Sequence, residues 1–118
     1  MGESKDPTEG LILELRRGIL VMGVLSQLEE PQYGYSLVQR LAERGLEIEQ
    51  STLYPLLRRL EKQGLLESDW SVEGSRPRRY YHISDQGSET LTKLNEEWHR
   101  ISSVVERLME GDADNGDD

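Results

Sequence analysis

Ser51-Thr-Leu-Tyr-Pro-Leu-Leu-Arg-Arg-Leu-Glu-Lys-Gln-Gly64 decides how the rest of this chain is read. Leu53, Leu56, Leu57 and Leu60 recur at i, i+3, i+4 and i+7, which gathers them onto one face of an α-helix. Ser51 or Thr52 suits the start as a cap, and Gly64 suits the stop. Pro55 is tolerated only near the first turn, so the helix must begin within a few residues before it. At about 100° per residue, the opposite side carries Ser51, Pro55, Arg58 and Lys62, with Tyr54 and Arg59 on its flanks. A leucine floor under a small-polar, aromatic and arginine roof suits a helix laid in a DNA major groove. An ordinary amphipathic surface helix would show the same floor, so the neighbouring segments decide.

Immediately upstream, Tyr33-Gly-Tyr-Ser-Leu-Val-Gln-Arg-Leu-Ala-Glu-Arg-Gly45 predicts a short helix with Leu37, Val38 and Leu41 on its apolar face. Gly45 supplies its left-handed stop, and Leu46 and Ile48 plug the connection to Ser51. Two short helices joined by a tight glycine-containing turn make a helix-turn-helix. Downstream, Leu66 and Trp70 alternate with polar residues, as do Tyr81 and Ile83, the period of half-buried strands. Gly74 and Pro77 mark the loop between them, so residues 65–83 predict a β-hairpin with Arg76, Arg78 and Arg79 at or near its tip. Placed directly after a helix-turn-helix, the hairpin is a wing. Its arginines suit phosphates or a narrow minor groove. A solubilising arginine cluster is the plainer alternative. Tyr80 and Tyr81 must face opposite ways, one to the core and one to the wing surface.

Two outer helices complete the reading. From Leu11 to Leu28 the apolar density predicts a core helix buried on more than one side, with Gly18 and Gly23 packed closely against neighbours. From Ser84, a suitable N-cap, a long helix runs to about Glu110. Leu91, Leu94, Trp98, Ile101, Val105 and Leu108 form an a/d seam along it. A helix this long can pack only part of that seam within its own subunit, so the seam predicts a homodimer. Trp98 sits mid-seam, where an indole is bulky and its N–H needs a partner. It either anchors the dimer or packs on the first helix, or it walls an apolar slot for a flat aromatic effector. The fold class is therefore mainly α with a small β-hairpin. Residues 1–10 are expected to be a disordered arm, 11–84 a winged helix-turn-helix, 85–110 a dimerisation helix and 111–118 an acidic disordered tail.

Composition bounds the function. With no cysteine among 118 residues, disulfides, thiol chemistry and cysteine-ligated zinc are excluded. The longest apolar run, Ile19 to Leu25, is too short to cross a membrane, and the N-terminus lacks a signal-peptide pattern. A cytoplasmic protein is expected. A net charge of −9 argues against nucleic acid until its distribution is seen. Residues 51–82 carry six Lys or Arg against four Asp or Glu and form the only net-positive third of the chain. His82 and His99 lie on different elements, and no nucleophile, metal or phosphate-loop motif accompanies them, so neither an enzyme nor a cofactor is expected.

The blocks Tyr33-Gly-Tyr-Ser-Leu, Ser51-Thr-Leu-Tyr-Pro-Leu-Leu-Arg-Arg-Leu and Arg78-Arg-Tyr-Tyr-His-Ile-Ser-Asp-Gln-Gly87 closely resemble the PadR family of bacterial transcriptional regulators. The resemblance covers roughly residues 11–110. It implies a dimeric repressor that reads double-stranded operator DNA through a winged helix and dimerises through the C-terminal helix. A single C-terminal helix is similar to the compact branch of the family. Carried over by motif, the DNA contacts fall on Ser51, Thr52, Tyr54, Arg58 and Arg59 of the recognition helix and on Arg76, Arg78 and Arg79 of the wing. Whether Arg58 reads a guanine or holds a phosphate stays open at this level. Many members respond to small aromatic compounds, and relatives with a tryptophan on the C-terminal helix make Trp98 the effector candidate. The rival class is a winged helix that binds protein rather than DNA, which the acidity permits.

Overall fold

Leu53, Leu57 and Leu60 are fully buried, and the rest of the core forms around them. The structure, a computed structural model, describes residues 6–72, 74 and 76–110. The expected acidic tail and the first half of the expected N-terminal arm lie outside the described residues. The elements are α1 (Thr8–Ser26), α2 (Gly34–Glu43), α3 (Gln50–Lys62), β1 (Leu66–Ser71), β2 (Arg78–Ile83) and α4 (Asp85–Glu110). Val24, Leu25 and Leu28 meet Leu37 and Leu41 of α2, the α3 leucines, Leu66 of β1 and Tyr81 of β2 in one cluster. Each fully buried leucine stabilises the fold by roughly 1.5–3 kcal/mol.

Gly45 (φ +95°) and Gly64 (φ +83°) end α2 and α3 in the left-handed conformation that their sequence positions require. The start of α3 differs from expectation. It begins at Gln50, with Glu49 in extended conformation as the N-cap and no side-chain cap. The amides of Thr52 and Leu53 donate to the Glu49 carbonyl at 2.9 Å each. Ile48, packed against the core, fixes where the chain enters the helix, and Ser51 and Thr52 are thereby left exposed on the roof. Pro55 then falls in the second turn, where its missing N–H leaves the exposed Ser51 carbonyl without a helical donor.

The two strands pair antiparallel, Leu66 opposite Ile83 and Ser71 opposite Arg78. Gln32 extends this sheet by one bridge, its amide and carbonyl exchanging bonds of 3.0 and 2.9 Å with Tyr81. Tyr81 is the core-facing member of its pair. Trp70 departs from the half-buried pattern and is 65 % exposed, because the outer half of the hairpin projects beyond the core.

The first helix corrects two expectations. It begins three residues inside the expected arm, where Asp6 accepts both the hydroxyl (2.7 Å) and the amide (3.0 Å) of Thr8. Those two bonds hold the Asp6 carboxyl below the usual carboxylate range. Nor is α1 buried along its length. Only its C-terminal end enters the core, while Leu11, Ile12, Leu13 and Leu15 are 48–69 % exposed. Close packing holds at Gly23, where a Cβ would meet Leu46 at 2.8 Å, but Gly18 faces open space.

Ser84 is the N-cap of α4 and the joint between the sheet and α3. Its hydroxyl donates to the Gly64 carbonyl at 2.6 Å and accepts from the Gly87 amide at 3.0 Å, while its amide donates to the Leu65 carbonyl at 3.0 Å. Gly87 lies so close to the Leu65 carbonyl oxygen that a Cβ there would collide with it.

Candidate nucleic-acid interface

The leucine floor forces the other side of α3 outward. Ser51, Thr52, Pro55, Arg58, Arg59 and Lys62 are all exposed, so the helix presents two hydroxyls and three cations to solvent. Tyr54 is half-buried. Its hydroxyl lies against Gly34 at the start of α2, where a larger residue would collide with the ring. That contact fixes the angle between the two helices and leaves part of the Tyr54 ring available at the surface.

The pleat sends the wing arginines to different faces. Arg79 shares the inner face with Ser68, Trp70 and Tyr81 and turns toward α3. Its Nη2 donates to Glu61 at 3.2 Å and its Nε to Ser68 at 3.0 Å, while the Ser68 hydroxyl donates to Glu61 at 2.7 Å. The guanidinium also lies 5.8 Å from the Trp70 ring and 5.6 Å from Tyr81. Burial pushes the Tyr81 phenol up, and the Arg79 charge opposes that shift. Arg79 is therefore a latch between wing and α3. Arg78, one residue earlier, points to the outer face and stacks over Tyr33 at 4.3 Å. Arg76 is exposed at the tip. The predicted cluster of three arginines thus divides into two that face solvent and one engaged within the fold.

Glu61, Tyr33 and Tyr35 belong to this surface but do not stand out by residue type. The signal for Tyr33 is its place in the Tyr-Gly-Tyr block; Glu61 has none, because its partners Ser68 and Arg79 lie on the hairpin. His82 sits on the outer strand face with Nε2 3.0 Å from Glu67, an exposed pair. Among the described residues no group of histidines and carboxylates could hold a metal ion.

The α4 seam separates into two parts. Leu91 and Leu94 are half-buried and pack against the core, whereas Trp98, Ile101, Val105 and Leu108 are 40–71 % exposed. Met109 and the apolar residues of the α1 N-terminal half add to the same unpartnered character. Trp98 lines an open groove of about 590 Å³ between α1 and α4, whose walls include Ile19, Met22, Gly23, Leu46 and Leu91.

A sequence profile described as the transcriptional regulator PadR-like family matches residues 21–93. The fold is similar to that of a PadR family transcriptional regulator from Eggerthella lenta, at 53% identity and a TM-score of 0.82, covering 88% of this chain and 93% of that one. A PadR-like regulator from Bacillus cereus superposes with a TM-score of 0.72 at 32% identity, covering 83% and 98%. A transcriptional regulator of Mycobacterium tuberculosis is 35% identical over 81 residues, 68% of this chain and 76% of that protein.

Proposed function

The chain belongs to the PadR-like family of transcriptional regulators, and from that premise we propose a homodimeric repressor that reads a palindromic operator and is released by a flat aromatic compound. As a member of that family it is a regulator of transcription and not an enzyme. The observation that carries DNA recognition is the exposed roof of α3: Ser51, Thr52, Arg58, Arg59 and Lys62 on a rigid helix, in the only basic third of an acidic chain. Arg76 and Arg78 flank it from the wing. A net charge of −9 then makes non-specific binding weak, so specificity rests on base contacts.

Two copies supply the rest. The exposed apolar residues of α4, together with Leu11, Ile12, Leu13 and Leu15 of α1, are an amount of greasy surface that a lone domain this small seldom carries. Pairing them across a two-fold axis sets two α3 helices about one DNA turn apart. Among the described residues no helix is long and apolar enough to cross a membrane, and a cytoplasmic regulator is the consistent placement.

The test is a mobility shift with the DNA upstream of the chain's own gene at two salt concentrations. Binding that weakens steeply with salt is expected. Absence of a shift with any genomic fragment favours a protein-binding winged helix instead. Replacing Arg76, Arg78 and Arg79 together by Ala should weaken operator and non-operator duplexes alike. The salt slope should fall by about two units, not three, because Arg79 is already engaged by Glu61. Folding should survive with a loss of about 1 kcal/mol, read by thermal melting.

The effector reading rests on Trp98 and its groove. A ligand there changes DNA affinity only as far as it favours one spacing of the two α3 helices over another. Trp98→Ala should keep an operator-binding dimer but abolish quenching of tryptophan fluorescence by flat aromatic compounds, with exposed Trp70 as the remaining fluorophore. Monomers, or unchanged ligand affinity, would make Trp98 a packing residue.

A further inference from the structure

Resting on the DNA-binding reading, we infer that Tyr33 is a positioning residue that holds Arg78 as a clamp for a DNA phosphodiester, in a patch shared with Tyr35 and Tyr80. The three aromatic rings come from two elements. Tyr33 and Tyr35 flank Gly34 at the start of α2, with ring centroids 6.5 Å apart, and Tyr80 on the wing meets Tyr33 edge-on at 5.4 Å. The Arg78 guanidinium lies over the Tyr33 face at 4.3 Å.

What distinguishes Arg78 is how it is held. Arg79 is bound by Glu61, and Arg100 by Glu97, so both charges are matched within the fold. Among the described residues no carboxylate pairs with Arg78. It is fixed by stacking alone, which orients the guanidinium plane without consuming its edge donors. Those N–H groups form the planar fork that suits two oxygens of a phosphate. The Tyr35 ring is 51 % exposed beside it, with its hydroxyl accepting from Gln39 at 3.1 Å. The patch also borders α3, since Gly34 carries the Tyr54 hydroxyl against it. A strand entering α3's groove therefore meets a fixed cation at the edge of the bases that α3 reads.

Anisotropy titrations of the full chain separate this clamp from the wider reading. The probes are a duplex from upstream of its own gene and a shuffled duplex of equal length, each at two salt concentrations. Arg78→Ala should weaken both about tenfold and lower the salt slope by roughly 0.9. Tyr33→Leu should reproduce that loss, and the double variant should lose no more, while Tyr33→Phe, which keeps the ring, binds as the parent does. Arg79→Ala should leave the salt slope unchanged. Parent-like binding by Tyr33→Leu, or losses that multiply in the double variant, overturns the clamp and leaves the DNA reading standing. If the parent chain binds neither duplex, the DNA reading itself fails and the clamp falls with it.

Discussion

Replacing both Ile101 and Val105 by Asp should give monomers by light scattering and reduce operator binding by two to four orders of magnitude. In the single chain these side chains are 42 % and 40 % exposed, so the substitutions do not touch the protomer core. In the proposed dimer the same positions would be covered, and unpaired carboxylates there would cost several kcal/mol. The loss on DNA is larger than any single contact, because two linked α3 helices gain effective concentration that separate ones lack. The winged-helix melting transition should persist in the monomer. A double variant that remains dimeric would take the α4 seam out of the subunit contact and leave it to the α1 surface at Leu11, Leu13 and Leu15.

Gly87→Ala should destabilise each protomer by about 3 kcal/mol, read by denaturant or thermal unfolding. The added Cβ collides with the Leu65 carbonyl oxygen and crowds Ile83 Cγ1 at 2.7 Å. A backbone carbonyl cannot step aside as a flexible side chain can. Relief requires moving the first turn of α4, which breaks the Ser84 bonds to Gly64 and Leu65. Gly18→Ala is the matched control. It is also helical, but nothing lies within 4 Å of its would-be Cβ, so the same change should raise stability by roughly 0.5–1 kcal/mol. Equal effects at the two sites would show that helix propensity, not the Leu65 collision, governs Gly87.

The contrast between those two glycines illustrates what residue order can carry. Both are helical glycines with nothing in the sequence around them to tell them apart, and only the tertiary path separates them. Patterns written in period and spacing translated well: the α3 leucines, the left-handed stops at Gly45 and Gly64, and the Ser84 cap that starts α4. Each depends on neighbours a few residues away. The single bridge at Gln32 was invisible because it pairs with Tyr81, far along the chain, through backbone atoms alone. The start of α1 is hidden in the sequence because Asp6-Pro-Thr8 lies in a polar stretch, and only its side-chain geometry marks a helix entry.

The site was legible by residue type but not by direction. Three arginines in a row of four positions look equivalent until the pleat turns Arg79 to Glu61 and Arg78 to Tyr33. Likewise, apolar density in α1 signals burial without saying in what. Leu11, Ile12, Leu13 and Leu15 stay about half exposed or more, and no count of leucines could show that.

The Ser84 joint gives the molecule a lever. Two bonds from Ser84, to the Gly64 and Leu65 carbonyls, and the Gly87 contact tie the head of α4 to the foot of α3 at one corner. With 26 and 13 residues, the arms are about 39 and 20 Å long at 1.5 Å per residue. With that corner held fixed, a shift at the free end of α4 corresponds to one about half its size at the far end of α3. Under the proposed dimer and effector reading, a compound wedged between subunits would need to spread them only slightly for the reading heads to fall out of step with the pitch of the duplex.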